Sequence, residues 1–144
     1  MYGYEPSAKI PLFVSGSGFA GGRTSQALVG LHDIASTVTG TYGLGAMPQA
    51  DGIGLAAVLN GHARNRDLLL RGVFGSQRYN YTGIRTPNSW KYIEYAGGGS
   101  ELYNLVTDPA EVESLAGRPK YADLQADLAH RLRLLRDCAG QTCR

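Results

Sequence analysis

Cysteine is scarce in this chain: two in 144 residues, Cys138 and Cys143, both within the last seven positions. With no third cysteine and no neighbouring histidine, the pair does not have the spacing of a zinc site. Neither has a histidine base beside it in sequence, which argues against a nucleophilic role. The pair fits a small disulfide loop in an exported protein, with two free thiols as the other reading. Lysine is also scarce, Lys9, Lys91 and Lys120 against eleven arginines, a bias that hints at a GC-rich genome rather than a function. Charged residues make up 18%, below the ~25% usual for soluble domains. Basic residues exceed acidic ones by only 14 to 12, a net charge of +2. That excess is too small to imply a nucleic acid or an anionic membrane as partner. No apolar run approaches the ~20 residues of a membrane helix. Met1 to Pro6 lacks the basic start and apolar stretch of a signal peptide. These absences leave a soluble globular domain.

What is present is size, hydrophobicity and glycine. A chain of 144 residues with 43% hydrophobic content can bury roughly two-thirds of its unfolded surface without a metal or disulfide staple. Its 20 glycines cluster at 16–22, 40–45 and 97–99 and divide the chain into loops and elements. Ile10 to Val14 is a short apolar run, the pattern of a strand buried on both faces, with Pro11 placing it at a strand start or edge. Apolar residues at 27, 28, 31, 34, 35 and 38 have helical spacing. Asp33 can cap a helix that runs to Gly40, leaving 27 to 31 extended. Leu55 to Leu59 is a second short helix that stops at Gly61.

Beyond residue 66 the pattern changes. Leu68–Phe74, Tyr81–Thr86, Trp90–Tyr95 and Glu101–Leu105 read as four strands of an antiparallel meander, with a turn at 97–99. Trp90, Tyr92 and Glu94 alternate with Lys91, Ile93 and Tyr95, the period of a half-buried strand. Asp108-Pro109-Ala110-Glu111 reads as a helical turn with Asp108 as cap and Glu111 returning a bond to it. Tyr121, Leu124, Leu128, Leu132 and Leu135 give the last helix, about Tyr121 to Asp137, one apolar face. A helix on one face of an antiparallel sheet is α+β architecture.

Chemical motifs are few. Gly16-Ser17-Gly18-Phe19-Ala20-Gly21 matches a dinucleotide fingerprint, but the loop continues through Gly22 to Ser25 where a helix should start. A glycine-rich turn is the expected reading. His32, His62 and His130 are scattered, and the His32-Asp33 pair reads as structural. Asn80-Tyr81-Thr82 is a glycosylation sequon by pattern only. Tyr79, Tyr81, Trp90, Tyr92, Tyr95 and Tyr103 are expected to pack across strands, with sugar stacking the alternative. No metal cluster and no activated serine, threonine or cysteine is found, so no catalytic, cofactor-binding or metal-ligating residue is assigned.

In order, these segments resemble the sulfatase family. Tyr4-Glu5, Ile10-Pro11-Leu12, Val14 and Gly16-Ser17-Gly18 are similar to its "YE…VPL-V-GPG" stretch. Asp33-Ile34-Ala35-Ser36-Thr37 resembles "D-aPT", with Ser36 where proline is usual. Asp51-Gly52 to Gly61 resembles "DG-SL-PLL-G", with Gly54 and Ala57 departing from it. Gly83-Ile84-Arg85-Thr86, Trp90 to Tyr95, Glu101 to Leu105 and Asp108 to Glu111 resemble "RT-KY…ELYDL--DP-E". Leu115-Ala116-Gly117 follows where "NLAG" is frequent, with Ser114 in place of asparagine.

The resemblance covers only the C-terminal part of a sulfatase. It implies that residues 1–65 are the last strand and helices of the large α/β domain, and 66–144 the small antiparallel-sheet-plus-helix subdomain. It also implies a sulfuric ester hydrolase of the alkaline phosphatase superfamily whose formylglycine nucleophile, calcium site and active-site histidines lie outside this chain. In close relatives the active-site lysine precedes Tyr-Glu by a few residues, and Lys9 lies beyond that motif. The implied partners are the N-terminal sulfatase portion, or self-association through the apolar edge at Ile10–Val14, with a sulfated small molecule or sugar bound by the complete enzyme. The complete parent is of an often exported type. The alternative is a non-catalytic module that binds sulfated sugars through Arg78, Arg85 and the tyrosines.

Overall fold

The computed structural model describes residues 3–143 except Ser17, Ala20, Ala46, Ala63 and Arg64, and the backbone only of Gln141. It divides into two compact units, Met1–Ile10 with Asp67–Asp137, and Pro11–Arg66 with Cys138–Arg144.

The first is a sheet unit. Strands β1 (Leu68–Gly72), β2 (Tyr81–Arg85), β3 (Trp90–Tyr95) and β4 (Ser100–Asn104) form an antiparallel meander in sequence order. Ile84 lies opposite Tyr92, and Tyr92 opposite Leu102, so these three side chains share one face. Helix α4 (Ala122–Asp137) covers that face with Leu128 and Leu132, both fully buried, while Leu124 and Leu135 pack at the margins. The helical spacing of the leucines and the strand period of 2 therefore meet in one core. Each such buried side chain is worth about 1.5–3 kcal/mol in transfer free energy.

The other face carries Tyr81, Gly83 and Arg85 of β2, Lys91, Ile93 and Tyr95 of β3, and Glu101 and Tyr103 of β4. It is covered by a strap, residues 3–8, which includes the one-turn helix α1 (Glu5–Ala8). Gly3 approaches so closely that a Cβ there would stand 2.9 Å from Ile93 Cδ1 and 3.0 Å from Tyr81. The Tyr4 and Tyr103 rings meet edge-on at 6.1 Å. Both faces of β3 are thus covered, and Lys91 and Ile93 are its fully buried residues. The half-buried strand expected from alternation is corrected accordingly: the strap supplies a second cover that no local pattern contains.

The second is a helical unit. Helix α2 (His32–Thr41) follows an extended stretch and contacts α3 (Leu55–Leu59). Gly52 is required where the chain passes α2, since a Cβ there would lie 2.1 Å from the His32 carbonyl oxygen.

Three further expectations are corrected. Residues 10–14 form no strand, and Ile10, Leu12, Phe13 and Val14 are exposed, Phe13 at 92%. A strand needs a neighbour to take its hydrogen bonds, and the described residues offer this run none. Asp33 does not cap α2 from outside; it lies in the first turn with its side chain fully buried. Asp108 does accept the amides of Val112 and Glu113 at 3.1 and 3.0 Å. Glu111, however, adopts a left-handed backbone (φ 55°) and turns its carboxylate inward instead of back to the cap.

Candidate functional site

The charged residues of the recurrent motifs assemble into three buried clusters. In the first, Lys91 projects from β3 beneath the strap. Its Nζ lies 2.8 Å from Glu5 Oε1 and 2.8 Å from Glu111 Oε1, and it donates to the Gly3 carbonyl oxygen at 2.9 Å. Arg85 Nε stands 3.6 Å from Glu5 Oε1, while its Nη1 donates to the Thr86 carbonyl oxygen. The Glu5 amide in turn donates to Glu111 Oε2. Two cations face two carboxylates, so the cluster carries no net charge. A fully buried lysine demands this: without paired carboxylates, its desolvation would cost several kcal/mol.

The second cluster centres on Glu101. Tyr4 donates to its Oε1 at 3.2 Å, and Tyr95 of β3 and Tyr103 of β4 lie on the same sheet face. Burial, reinforced by the Glu101 charge, pushes Tyr95 and Tyr103 well above the ordinary tyrosine range, and Tyr4 upward too. All three therefore stay protonated at neutral pH.

The third cluster lies in the helical unit. Asp33 receives Arg66 Nη1 at 2.8 Å and Nη2 at 2.6 Å, the Gly30 amide at 2.8 Å and the Ile53 amide at 2.8 Å. Burial alone would raise its pKa, but these four donors outweigh burial and lower it below the ordinary aspartate value. His32 Nε2 stands 3.5 Å from Asp33 Oδ1 and is two-fifths exposed. The next residue after Arg66 pairs in the sheet unit: Asp67 holds Arg131 of α4 at 2.6, 2.7 and 2.9 Å.

At the C-terminus Cys138 and Cys143 are joined by a disulfide, Cα–Cα 5.2 Å. Within that loop the Gly140 amide donates to Asp51 Oδ1 at 2.6 Å. Gly16 and Phe19 close a tight turn, Phe19 N to Gly16 O at 3.1 Å. The next helix begins only at His32, so no helix N-terminus faces the glycine motif; its Ser17 and Ala20 lie outside the described residues. Asn80 is engaged internally, its Oδ1 accepting the Phe74 amide at 2.6 Å. The tyrosines pack across strands, with Tyr81 and Tyr95 edge-on at 6.3 Å.

Among the described residues, no group of three or more His, Cys, Asp or Glu could hold a metal ion. The carboxylates of Asp33 and Glu111 are committed to Arg66, Lys91 and backbone amides. Of the three histidines, His32 stands beside a carboxylate, that of Asp33. Arg85, which the sugar-binding alternative requires, is turned toward Glu5 and Thr86. These clusters tie distant segments of polypeptide together. Sequence reasoning named Glu5, Arg85, Lys91, Glu101, Asp33 and Glu111 as motif residues without their partners, and missed Arg66 and the Asp67–Arg131 pair. One signal was available: a lysine on the same strand face as Ile93 in an otherwise apolar and aromatic strand must find a carboxylate if that face is covered.

The family described as "N-sulphoglucosamine sulphohydrolase, C-terminal" matches residues 1–138. This chain belongs to that sulfatase family. Choline-sulfatase of Rhizobium meliloti (strain 1021) is 30% identical over 128 residues, which cover 87% of this chain and 25% of that protein. Arylsulfatase K of Mus musculus is 27% identical over 141 residues, 90% of this chain and 25% of the relative. Among solved structures, BT1596, a 2-O GAG sulfatase, aligns with TM-score 0.57 at 31% identity over 73% of this chain and 23% of that one. The sulfatase domain described here thus spans about a quarter of the length of the curated relatives it matches. Its α+β fold, a four-stranded antiparallel sheet with a C-terminal helix, is shared with those sulfatase structures.

Proposed function

We propose that this domain serves as the C-terminal portion of a sulfuric ester hydrolase and is inactive by itself. In the working enzyme it would complete the hydrophobic core and wall the substrate cleft, influencing which leaving group is accepted, while the formylglycine nucleophile and the calcium site come from upstream polypeptide. The observation that carries this reading is the family match over residues 1–138 within relatives about four times longer. The helical unit supports it: Leu12, Phe13, Val14, Leu31, Val38, Tyr42 and Leu44 are all exposed, more apolar surface than an autonomous domain ordinarily presents. Leu31, Val38 and Tyr42 recur at helical spacing along α2, a face suited to an N-terminal sulfatase portion.

The test is hydrolysis of an aryl sulfate by the purified 144-residue chain, alone and after co-expression with the N-terminal portion of a sulfatase from the matched family. No turnover alone, and turnover that depends on adding this chain, is the expected outcome. Turnover by the chain alone would overturn the reading.

A further inference from the structure

Resting on that reading, the geometry points to Lys91 as a positioning residue: with Glu5 and Glu111 it fixes where, and in which direction, polypeptide reaching Gly3 joins the sheet unit. The strap has little to hold it by itself. Helix α1 is a single turn, too short for independent stability, and Lys9 to Ser15 after it is extended and exposed. What holds the strap is a set of four polar anchors within three consecutive residues. Lys91 of β3 donates to the Gly3 carbonyl and pairs with the Glu5 carboxylate, Glu101 of β4 accepts from the Tyr4 hydroxyl, and Glu111 accepts from the Glu5 amide.

These anchors specify register. If the chain slid by one residue so that Glu5 took the place of Tyr4, its carboxylate would face Glu101 and Lys91 would lose a counter-charge. The wrong register is therefore opposed by like charge as well as unrewarded. One observation and one general rule point to a network that does more than fill space. Glu111 keeps a left-handed backbone that a non-glycine residue resists, and that conformation accompanies the delivery of its carboxylate to Lys91 and to the Glu5 amide. A buried ion cluster is also no better than apolar packing for stability alone; what it adds here is a unique docking position.

Amide hydrogen exchange on the full chain tests this, comparing wild type with Glu5→Gln and Lys91→Met. The strap amides of Ser7, Ala8 and Lys9, which donate to Tyr4 and Glu5 carbonyls, should exchange about tenfold or more faster in both variants. In Glu5→Gln the amides of β2, β3 and β4 should keep their rates within about twofold. The nuclear Overhauser contact between the Tyr4 and Tyr103 rings should weaken in parallel. Unchanged strap exchange in either variant, or acceleration of the strands in step with the strap in Glu5→Gln, would overturn the assignment. If Lys91→Met does not fold, Glu5→Gln decides alone, since the partly exposed Glu5 side chain can be neutralised without stranding a fully buried carboxylate. Neither readout uses ester hydrolysis, so failure here and failure of the reconstitution are distinguishable.

Discussion

Lys91 Nζ and Glu111 Oε1 lie 2.8 Å apart, and neither side chain is reached by solvent. Glu111 holds its position with φ 55°, so two opposing effects act at one residue. Glu111→Ala removes the counter-charge and leaves the strained backbone; it should cost about 3–5 kcal/mol. Glu111→Gly removes the same charge but relaxes the backbone, and should be less destabilising by about 1 kcal/mol, the left-handed penalty less glycine's extra entropy cost. Urea unfolding followed through Trp90, the single tryptophan, gives both values. Equal losses would show that the left-handed backbone is not strained.

The helical unit should be acid-sensitive through Asp33. Its pKa is lowered in the fold relative to the ordinary value of 3.8, so the unfolded chain takes up a proton first as pH falls. The stabilisation is full above about 4 and is lost as pH falls through the lowered folded value. Asp33→Asn should flatten the urea midpoint between pH 6 and pH 2, at the cost of lower stability at neutral pH. A midpoint that falls as steeply in the variant would place the acid sensitivity elsewhere.

At the alkaline end the sign reverses. Tyr95 and Tyr103 have pKa values raised above the ordinary 10.0 by burial and by Glu101. Their contribution is full below pH 10 and declines as pH rises further, because the unfolded chain then releases protons that the fold retains. Ultraviolet titration of the tyrosines checks this. Tyr95 and Tyr103 should ionise only with unfolding. A single step comprising all tyrosines near pH 10 would contradict the Glu101 cluster.

Two glycine substitutions should move stability in opposite directions. Gly52→Ala places a Cβ 2.1 Å from the His32 carbonyl oxygen and should cost about 1–3 kcal/mol or more, as over-packing against fixed backbone does. Gly40→Ala, in α2 with nothing within 4 Å of the new Cβ, should gain about 0.5–1 kcal/mol from helix propensity. Thermal unfolding monitored by circular dichroism reports both.

The legible parts of the fold were those written in short-range periodicity. Leu55–Leu59 and Trp90–Tyr95 form with the boundaries expected from the sequence, and the leucine spacing of α4 identified the face that meets the sheet. What could not be read depends on residues distant along the chain. Lys91 meets Gly3 across 88 positions, and Arg66 meets Asp33 across 33, so no window of sequence contains both partners. The motif residues of the candidate clusters were visible one by one because of the family resemblance. Their roles were not, because a lysine in a strand reads locally as solvated until something is known to cover it. The run Ile10–Val14 failed for the converse reason: its apolar composition describes a strand only in the presence of neighbours.

Arg66 and Asp67 are adjacent in the chain, yet Arg66 pairs with Asp33 in one unit and Asp67 with Arg131 in the other. Their junction is thus a natural seam. Recombination or engineered fission at the 66–67 peptide bond would divide the polypeptide without divorcing either of these ion pairs. The strap does cross the seam: Glu5 would then meet Lys91 and Glu111 of the other parent, so the strap residues are what shuffled sulfatases must keep matched.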